Sequence, residues 1–80
     1  MKKIPRNLSG SDFIKKLKVL GYLPTRQIGS HIRLTTEKRG THHITIPNHS
    51  TLKIGTLAGI LNDISGHLKI SKEELIEKLF

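Results

Sequence analysis

The sequence has no cysteine or tryptophan and few aromatic or acidic residues. Aromatic residues make up 4% of its 80 residues, and six residues are Asp or Glu. Without cysteine, neither a disulfide framework nor a thiolate zinc site can form. No apolar run approaches the roughly 20 residues of a membrane span, and the start, MKKIPRNLSG, lacks a signal peptide's apolar stretch. We therefore expect a small cytoplasmic protein with no membrane partner.

Positive charge is abundant and unevenly distributed along the chain. The formal net charge is +8. Residues 1–63 carry eleven Lys or Arg against three acidic residues, whereas residues 64–80 carry three of each. A basic body of this kind indicates a polyanionic partner such as nucleic acid. The alternative is a solvated surface that only keeps the protein soluble.

Hydrophobic spacing predicts a helix followed by three strands. The first helix has Ser9 and Ser11 as candidate N-caps and ends at Gly21, a suitable C′ residue. Residues 22–28 are extended and contain Pro24, which cannot donate a ladder hydrogen bond, so this segment is predicted to be an edge strand.

Two further segments, residues 31–35 and 42–46, alternate apolar and polar side chains with the period of a strand. The apolar set is predicted to face a core, and it consists of Ile32, Leu34, Ile44 and Ile46. The other face of this antiparallel sheet is predicted to be open, and it carries His31, Arg33, Thr35, His43 and Thr45.

A second helix is predicted to begin near Gly55, with Thr56 as its N-cap, and to stop at Ser65 and Gly66. Its apolar residues follow helical spacing: Leu57, Ile60, Leu61 and Ile64. A capping box at residues 71–74 predicts a C-terminal helix. The predicted fold class is α+β, an α-β-β-β-α sandwich with an extra C-terminal helix.

The acidic residues and most histidines are poorly arranged for metal chemistry. Asp12, Glu73 and Glu74 fall in predicted first turns of helices, where capping and the helix dipole explain them. No carboxylate pair has the spacing of a two-metal nuclease. His42 and His43 are adjacent on a strand and point to opposite faces. We therefore expect no metal site and no cofactor. His67 is expected to be an exposed surface residue.

A histidine and an arginine on one open face suit metal-free RNA cleavage. An imidazole can accept a proton from a ribose 2′-hydroxyl, and that oxygen then attacks the adjacent phosphate. Arg33, nearby on the same predicted face, could hold that phosphate or stabilise the charge that develops on it. The requirement for a 2′-hydroxyl selects RNA over DNA. The residues alone favour the alternative, in which His31 is a surface histidine on a phosphate-binding face.

Three motifs in order resemble the HicA toxins of bacterial and archaeal toxin–antitoxin pairs. They are R-Q-x-G-S-H at residues 26–31, P-x-H at residues 47–49, and G-T-L-x-x-I-L at residues 55–61. The resemblance extends over nearly the whole chain, which we interpret as one domain, residues 1–80. Within it, residues 1–8 form an N-terminal arm and residues 71–80 the C-terminal helix.

This resemblance implies a double-stranded-RNA-binding-domain-like fold and ribosome-independent cleavage of mRNA. It implies that His31, the histidine of the G-S-H motif, is catalytic. It also implies inhibition by a HicB-type antitoxin. We expect the present chain to be a monomer when free and part of a hetero-oligomer when bound to the antitoxin. The expected RNA contacts are Arg26, Ser30, Arg33, Lys38, Arg39, His43, His49 and Lys53.

Two alternatives to an RNA-cleaving enzyme remain at this stage. In a non-catalytic RNA-binding module, the Lys and Arg residues would matter for RNA affinity and His31 would not. In a structural or protein-interaction role, the basic charge would be incidental, and salt would hardly change RNA affinity.

Overall fold

The computed structural model describes residues 3–80 as helices packed on an antiparallel sheet of three strands, which lie side by side in chain order. This confirms the α+β class and the double-stranded-RNA-binding-domain-like order α-β-β-β-α with an extra helix. The elements are α1 (Gly10–Leu17), a 3-10 turn (Lys18–Leu20), β1 (Leu23–Ile28), β2 (His31–Thr36), β3 (His42–Pro47), α2 (Ile54–Leu68) and α3 (Lys72–Leu79).

Helix α1 begins where the sequence predicts, but it ends earlier, at Leu17, and a 3-10 turn continues to the predicted stop at Gly21. The Ser9 hydroxyl accepts a hydrogen bond from the Asp12 amide at 3.0 Å, so Ser9 is the N-cap. The Ser11 hydroxyl instead lies 3.3 Å from that of Ser9. Gly21 follows the 3-10 turn with φ of 84°, a left-handed conformation that glycine adopts without a steric cost.

The predicted strand phase is confirmed by burial. Along β2, Ile32 is partly buried and Leu34 fully buried, whereas His31 and Arg33 are exposed. In β3, Ile44 and Ile46 are buried and His43 and Thr45 are exposed. The sheet therefore packs one face against the helices. The buried core contains Leu8, Phe13, Ile14, Leu17, Leu20, Tyr22, Leu34, Ile44, Ile46, Leu52, Leu57, Leu61, Ile64, Leu68, Leu75 and Leu79.

Strand β1 lies at an edge of the sheet, as Pro24 predicts. Among residues 3–80 it pairs only with β2, and every residue of β1 is exposed. The register shifts between Pro24 and Arg26, so a bulge interrupts the ladder beside the proline. From Arg26 onward the pairing is regular and continues to the turn before His31.

The second helix begins at Ile54, near the predicted Gly55, but its predicted N-cap and its predicted end are both wrong. Lys53, not Thr56, is the N-cap of α2, and no side chain in the described part of the chain caps its first amides. The helix also continues through Ser65 and Gly66 to Leu68. A glycine costs a helix only about 1 kcal/mol, and burial of Ile64 and Leu68 on the core outweighs that cost.

The two ends of the described chain pack on the same core. Ser71 caps α3 by accepting from the Glu74 amide, as the capping box predicts. Phe80 stacks on Phe13 of α1 with 6.4 Å between ring centroids. In the predicted arm, Ile4 packs against the core, and Met1 and Lys2 lie outside the described residues. No helix within residues 3–80 has the length and apolar character required to cross a membrane.

Candidate functional site

His31 is the first residue of β2 and lies on the open face of the sheet. A two-residue loop, Gly29 and Ser30, precedes it, and Gly29 has φ of 57°. Because Ile32 points into the core, the alternation of the strand directs His31 to the opposite side, where it is exposed. Its imidazole has no hydrogen bond or ion pair with any residue in the range 3–80. Both ring nitrogens are therefore available to a ligand.

The loop after β3 holds the turn before His31 in place. The Asn48 amide donates to the Ser30 carbonyl at 2.6 Å, so the R-Q-x-G-S-H and P-x-H motifs are joined in space. The Gly10 amide in turn donates to the His49 carbonyl at 2.9 Å. A Cβ on Gly10 would overlap the Pro47 carbonyl oxygen, so the helix packs closely against this loop. The His31 end of the sheet is therefore fixed from two sides.

Two arginines lie beside His31 on the same face. Arg33 is two residues along β2, about 7 Å of strand, and Arg26 pairs directly with Arg33 across the β1–β2 ladder. Like charges placed opposite each other on one face of a sheet repel. A phosphate bound between the two guanidinium groups would relieve that repulsion and accept hydrogen bonds from both. The geometry favours an anion next to His31.

The structure places His43 on the same face but well away from His31. Thr35 pairs with His43, whereas His31 pairs with Pro47, so the two histidines are four residues apart along the ladder, about 13 Å. The His43 Nδ1 atom lies 2.8 Å from the Thr35 hydroxyl, which lies 2.8 Å from that of Thr25. His43 is therefore too distant to share one phosphodiester with His31.

The remaining predicted contacts fall at two different ends of the molecule. Ser30 and His49 lie at the His31 end, and the loop that contains His49 leads to Lys53 at the uncapped start of α2. Lys38 and Arg39 instead form the tip of the β2–β3 hairpin. About 17 Å of strand separates His31 from Thr36, and this tip lies beyond Thr36. One site cannot include all eight residues.

A second polar cluster, which the sequence does not predict, lies beneath that hairpin. The Tyr22 hydroxyl is 2.8 Å from His42 Nδ1, and His42 Nε2 is 3.1 Å from the Asp63 carboxylate. Burial, with a smaller contribution from Asp63, raises the pKa of Tyr22 to about 12. One feature of the sequence could have pointed to this cluster. The strand phase turns His42 toward the core, and a buried polar group requires a hydrogen-bond partner.

The expectation that His67 is an exposed surface residue is wrong. Its ring stacks on that of His42 with 4.3 Å between centroids. His67 Nε2 lies 2.8 Å from the Lys38 carbonyl and 3.1 Å from the Gly40 carbonyl. Since both partners are acceptors, Nε2 carries the hydrogen and donates to them. His67 thus ties α2 to the hairpin. Within residues 3–80, no three His, Asp or Glu side chains cluster closely enough to hold a metal ion.

Comparison with known families identifies the chain. The family model described as the HicA toxin of bacterial toxin–antitoxin systems matches residues 10–65, well over half of the sequence. The chain belongs to the HicA toxin family. The matched segment contains both hydrogen-bonded motifs at the His31 end, whereas α3 of this HicA protein lies beyond it. No curated protein and no solved structure matched the chain.

Proposed function

We propose that this HicA protein is a metal-independent endoribonuclease that cleaves mRNA, with His31 as the general base. The observation that carries the proposal is the position of His31. It is exposed, has no partner within residues 3–80, and lies beside the opposed pair Arg26 and Arg33 on the open face. Membership of a toxin family within toxin–antitoxin systems supports a damaging activity of this kind.

In the proposed reaction, His31 takes the proton from a ribose 2′-hydroxyl, and the 2′-oxygen attacks the adjacent phosphorus. The bond from phosphorus to the 5′-oxygen of the next nucleotide then breaks. One product ends in a 2′,3′-cyclic phosphate, and the other begins with a 5′-hydroxyl that has gained a proton from water. Arg26 and Arg33 stabilise the negative charge that develops on the phosphate oxygens.

Other residues at the His31 end would bind RNA without touching the reacting atoms. Lys53 lies at the start of α2, where uncapped amides and the helix dipole favour a phosphate. Ser30 and His49 flank the turn before His31. His43 lies far enough along the sheet to contact a neighbouring nucleotide. Lys38 and Arg39 are too distant to contribute to the same cleavage site.

The partner in this proposal is a HicB-type antitoxin that covers the open face, including His31. Acidic groups on the antitoxin would meet Arg26 and Arg33, which both speeds association and blocks RNA. The toxin would be a monomer when free and part of a hetero-oligomer when inhibited. Light scattering on the purified toxin, alone and with its antitoxin, measures both states.

The proposed reaction requires a 2′-hydroxyl and no metal, and one experiment tests both. The wild-type protein is incubated in EDTA with an RNA and with the same RNA carrying a 2′-deoxy nucleotide at each mapped cleavage position. We expect cleavage of the first RNA to cyclic phosphate ends and none at the substituted positions. Equal binding of both RNAs without cleavage of either, in EDTA and in a parallel incubation with Mg²⁺, would instead establish the non-catalytic RNA-binding module. Cleavage in Mg²⁺ but not in EDTA would contradict the metal-free reaction.

A further inference from the structure

A groove lies at the hairpin end of the molecule, away from His31. It has a volume of about 440 Å³. Parts of four elements form it: the 3-10 turn, the β2–β3 hairpin, the end of α2 with the residues after it, and α3. Its lining consists of Val19, Leu20, Lys38, Arg39, Leu68, Ile70 and Lys78. The groove shares no residue with the proposed cleavage site.

All the charged side chains that line this groove are positive. Its lining includes three cations and no carboxylate, although α3 carries three glutamates elsewhere on its surface. Neither Lys38 nor Arg39 forms an ion pair with another residue in the range 3–80. The two cations at the hairpin tip therefore have their full charge available to a partner.

The rest of the lining is aliphatic. Val19 lines the groove and is 64% exposed. Leu20, Leu68 and Ile70 form the adjoining floor. An occupant with apolar side chains would bury this surface. Successive RNA bases, in contrast, bind on aromatic platforms, and the lining has no aromatic side chain.

The hairpin tip is held in one conformation before any partner binds. His67 donates to the carbonyls of Lys38 and Gly40, as described above. The aliphatic stem of Lys38 lies over Gly21, where an added Cβ would come within 3.2 Å of Lys38 Cε. Arg39 adopts φ of 55°, a left-handed conformation that costs a non-glycine residue about 1 kcal/mol. A fixed tip presents its charges with little loss of entropy on binding.

We propose that this groove binds a segment of the antitoxin protein that carries both acidic side chains and aliphatic side chains such as leucine. The segment's apolar side chains pack on Val19, Leu20, Leu68 and Ile70, and its carboxylates meet Lys38, Arg39 and Lys78. The antitoxin thus has a docking site separate from the surface that covers His31. This proposal rests on the toxin–antitoxin role of the family and not on catalysis by His31, so a failure of either can be recognised independently.

Amide NMR shifts on labelled His31→Ala protein test the proposal without RNA cleavage. The probes are a short peptide of alternating leucine and glutamate, the same peptide with glutamine for glutamate, and a single-stranded oligouridylate. A triple variant, Lys38→Met, Arg39→Asn and Lys78→Met, removes the groove's charges. Met keeps the aliphatic stem, and Asn tolerates the left-handed conformation. The matched control neutralises three exposed cations outside the groove: Lys3→Gln, Arg6→Gln and Lys15→Gln.

We expect the glutamate peptide to shift amides of the 3-10 turn, the hairpin tip and residues 68–70. The glutamine peptide should shift them weakly. The triple groove variant should lower the peptide's affinity by about tenfold or more, since three screened charges contribute together, and the control should change it much less. The proposal is overturned if millimolar peptide leaves these amides unmoved, if both triple variants bind alike, or if the RNA shifts the groove amides and the peptide does not.

Discussion

Gly10 and Gly59 are both glycines in helices, but a methyl group has room at only one of them. A Cβ on Gly10 would overlap the Pro47 carbonyl oxygen and lie 3.1 Å from Asn48 Cα, and both are backbone atoms. A Cβ on Gly59, in the exposed middle of α2, has no neighbour from residues 3–80 within 4 Å. The two sites therefore offer opposite responses to the same substitution.

Gly10→Ala should destabilise the protein by about 2 kcal/mol or more, because overpacking forces backbone to shift. Gly59→Ala should stabilise it by about 0.5–1 kcal/mol, because alanine is the better helix former. Chemical denaturation of both variants measures these changes in the free energy of unfolding. A stabilised Gly10→Ala protein would mean that α1 does not pack closely on the Pro47 loop.

The ionisation of Tyr22 makes the free energy of unfolding depend on pH in the alkaline range. Its folded pKa is about 12, against 10.0 for an unperturbed tyrosine, because burial and then the Asp63 charge disfavour the phenolate. A raised pKa means that the neutral phenol stabilises the fold fully below about pH 10, and that this contribution is lost as pH rises toward 12. Since Tyr22 is the sole tyrosine, tyrosinate absorbance reports on it alone.

Tyr22→Phe should lower the free energy of unfolding at neutral pH by about 1 kcal/mol, because His42 Nδ1 loses its partner. The same variant should flatten the fall in stability between pH 10 and 12. Denaturation across this pH range, with tyrosinate absorbance of the folded wild type, checks both points. Tyrosinate that forms near pH 10 in the folded protein would contradict the account.

At the scale of elements, the β2–β3 hairpin depends on a residue from α2. His67→Ala removes the donor to two hairpin carbonyls and the ring stacked on His42. We expect a loss of about 1–2 kcal/mol in stability and faster amide exchange in residues 37–41. His49→Ala is the control, because its exposed ring has no hydrogen bond within residues 3–80, and it should cost less than about 0.5 kcal/mol. Unchanged amide hydrogen exchange in residues 37–41 of His67→Ala would show that His67 does not hold the hairpin.

Strand phase could be predicted from sequence because it depends on neighbours in the chain. The alternation around Ile32 and Ile44 determines which side chains face the core, and His31 follows from it. The bounds of α2 could not be predicted in the same way, since burial of Leu68 on a distant core overrides the stop signal at Gly66. The role of His67 depends on carbonyls 27 and 29 residues away, which no local pattern encodes.

At the scale of the whole molecule, α3 lies outside the segment that matches the family, yet it completes the core. Leu75 is fully buried, and Phe80 stacks on Phe13 of α1. The prediction of one domain over the chain implies that α3 and the sheet unfold together. Unfolding of the sheet can be monitored through Tyr22, the residue before β1, and unfolding of the helices through far-ultraviolet circular dichroism.

Leu75→Ala should destabilise the protein by about 2–5 kcal/mol, the usual cost of a cavity at a buried leucine. The unfolding midpoints reported by the Tyr22 signal and by circular dichroism should move together to a lower denaturant concentration. Leu23→Ala is the control, since Leu23 is 53% exposed, and it should cost under about 1 kcal/mol. Separate transitions for the Tyr22 and helix signals would contradict a single cooperative unit.

The proposed catalytic role of His31 is tested most directly by the single-turnover cleavage rate of His31→Ala at saturating RNA. Because Arg26 and Arg33 remain, RNA affinity should stay within a few-fold of wild type. The rate should fall by about 100- to 10,000-fold, the usual contribution of a general base. His43→Ala, on the same face but about 13 Å away, should weaken binding and largely retain the rate at saturation. A folded, RNA-binding His31→Ala protein that cleaves at the wild-type rate would contradict the account.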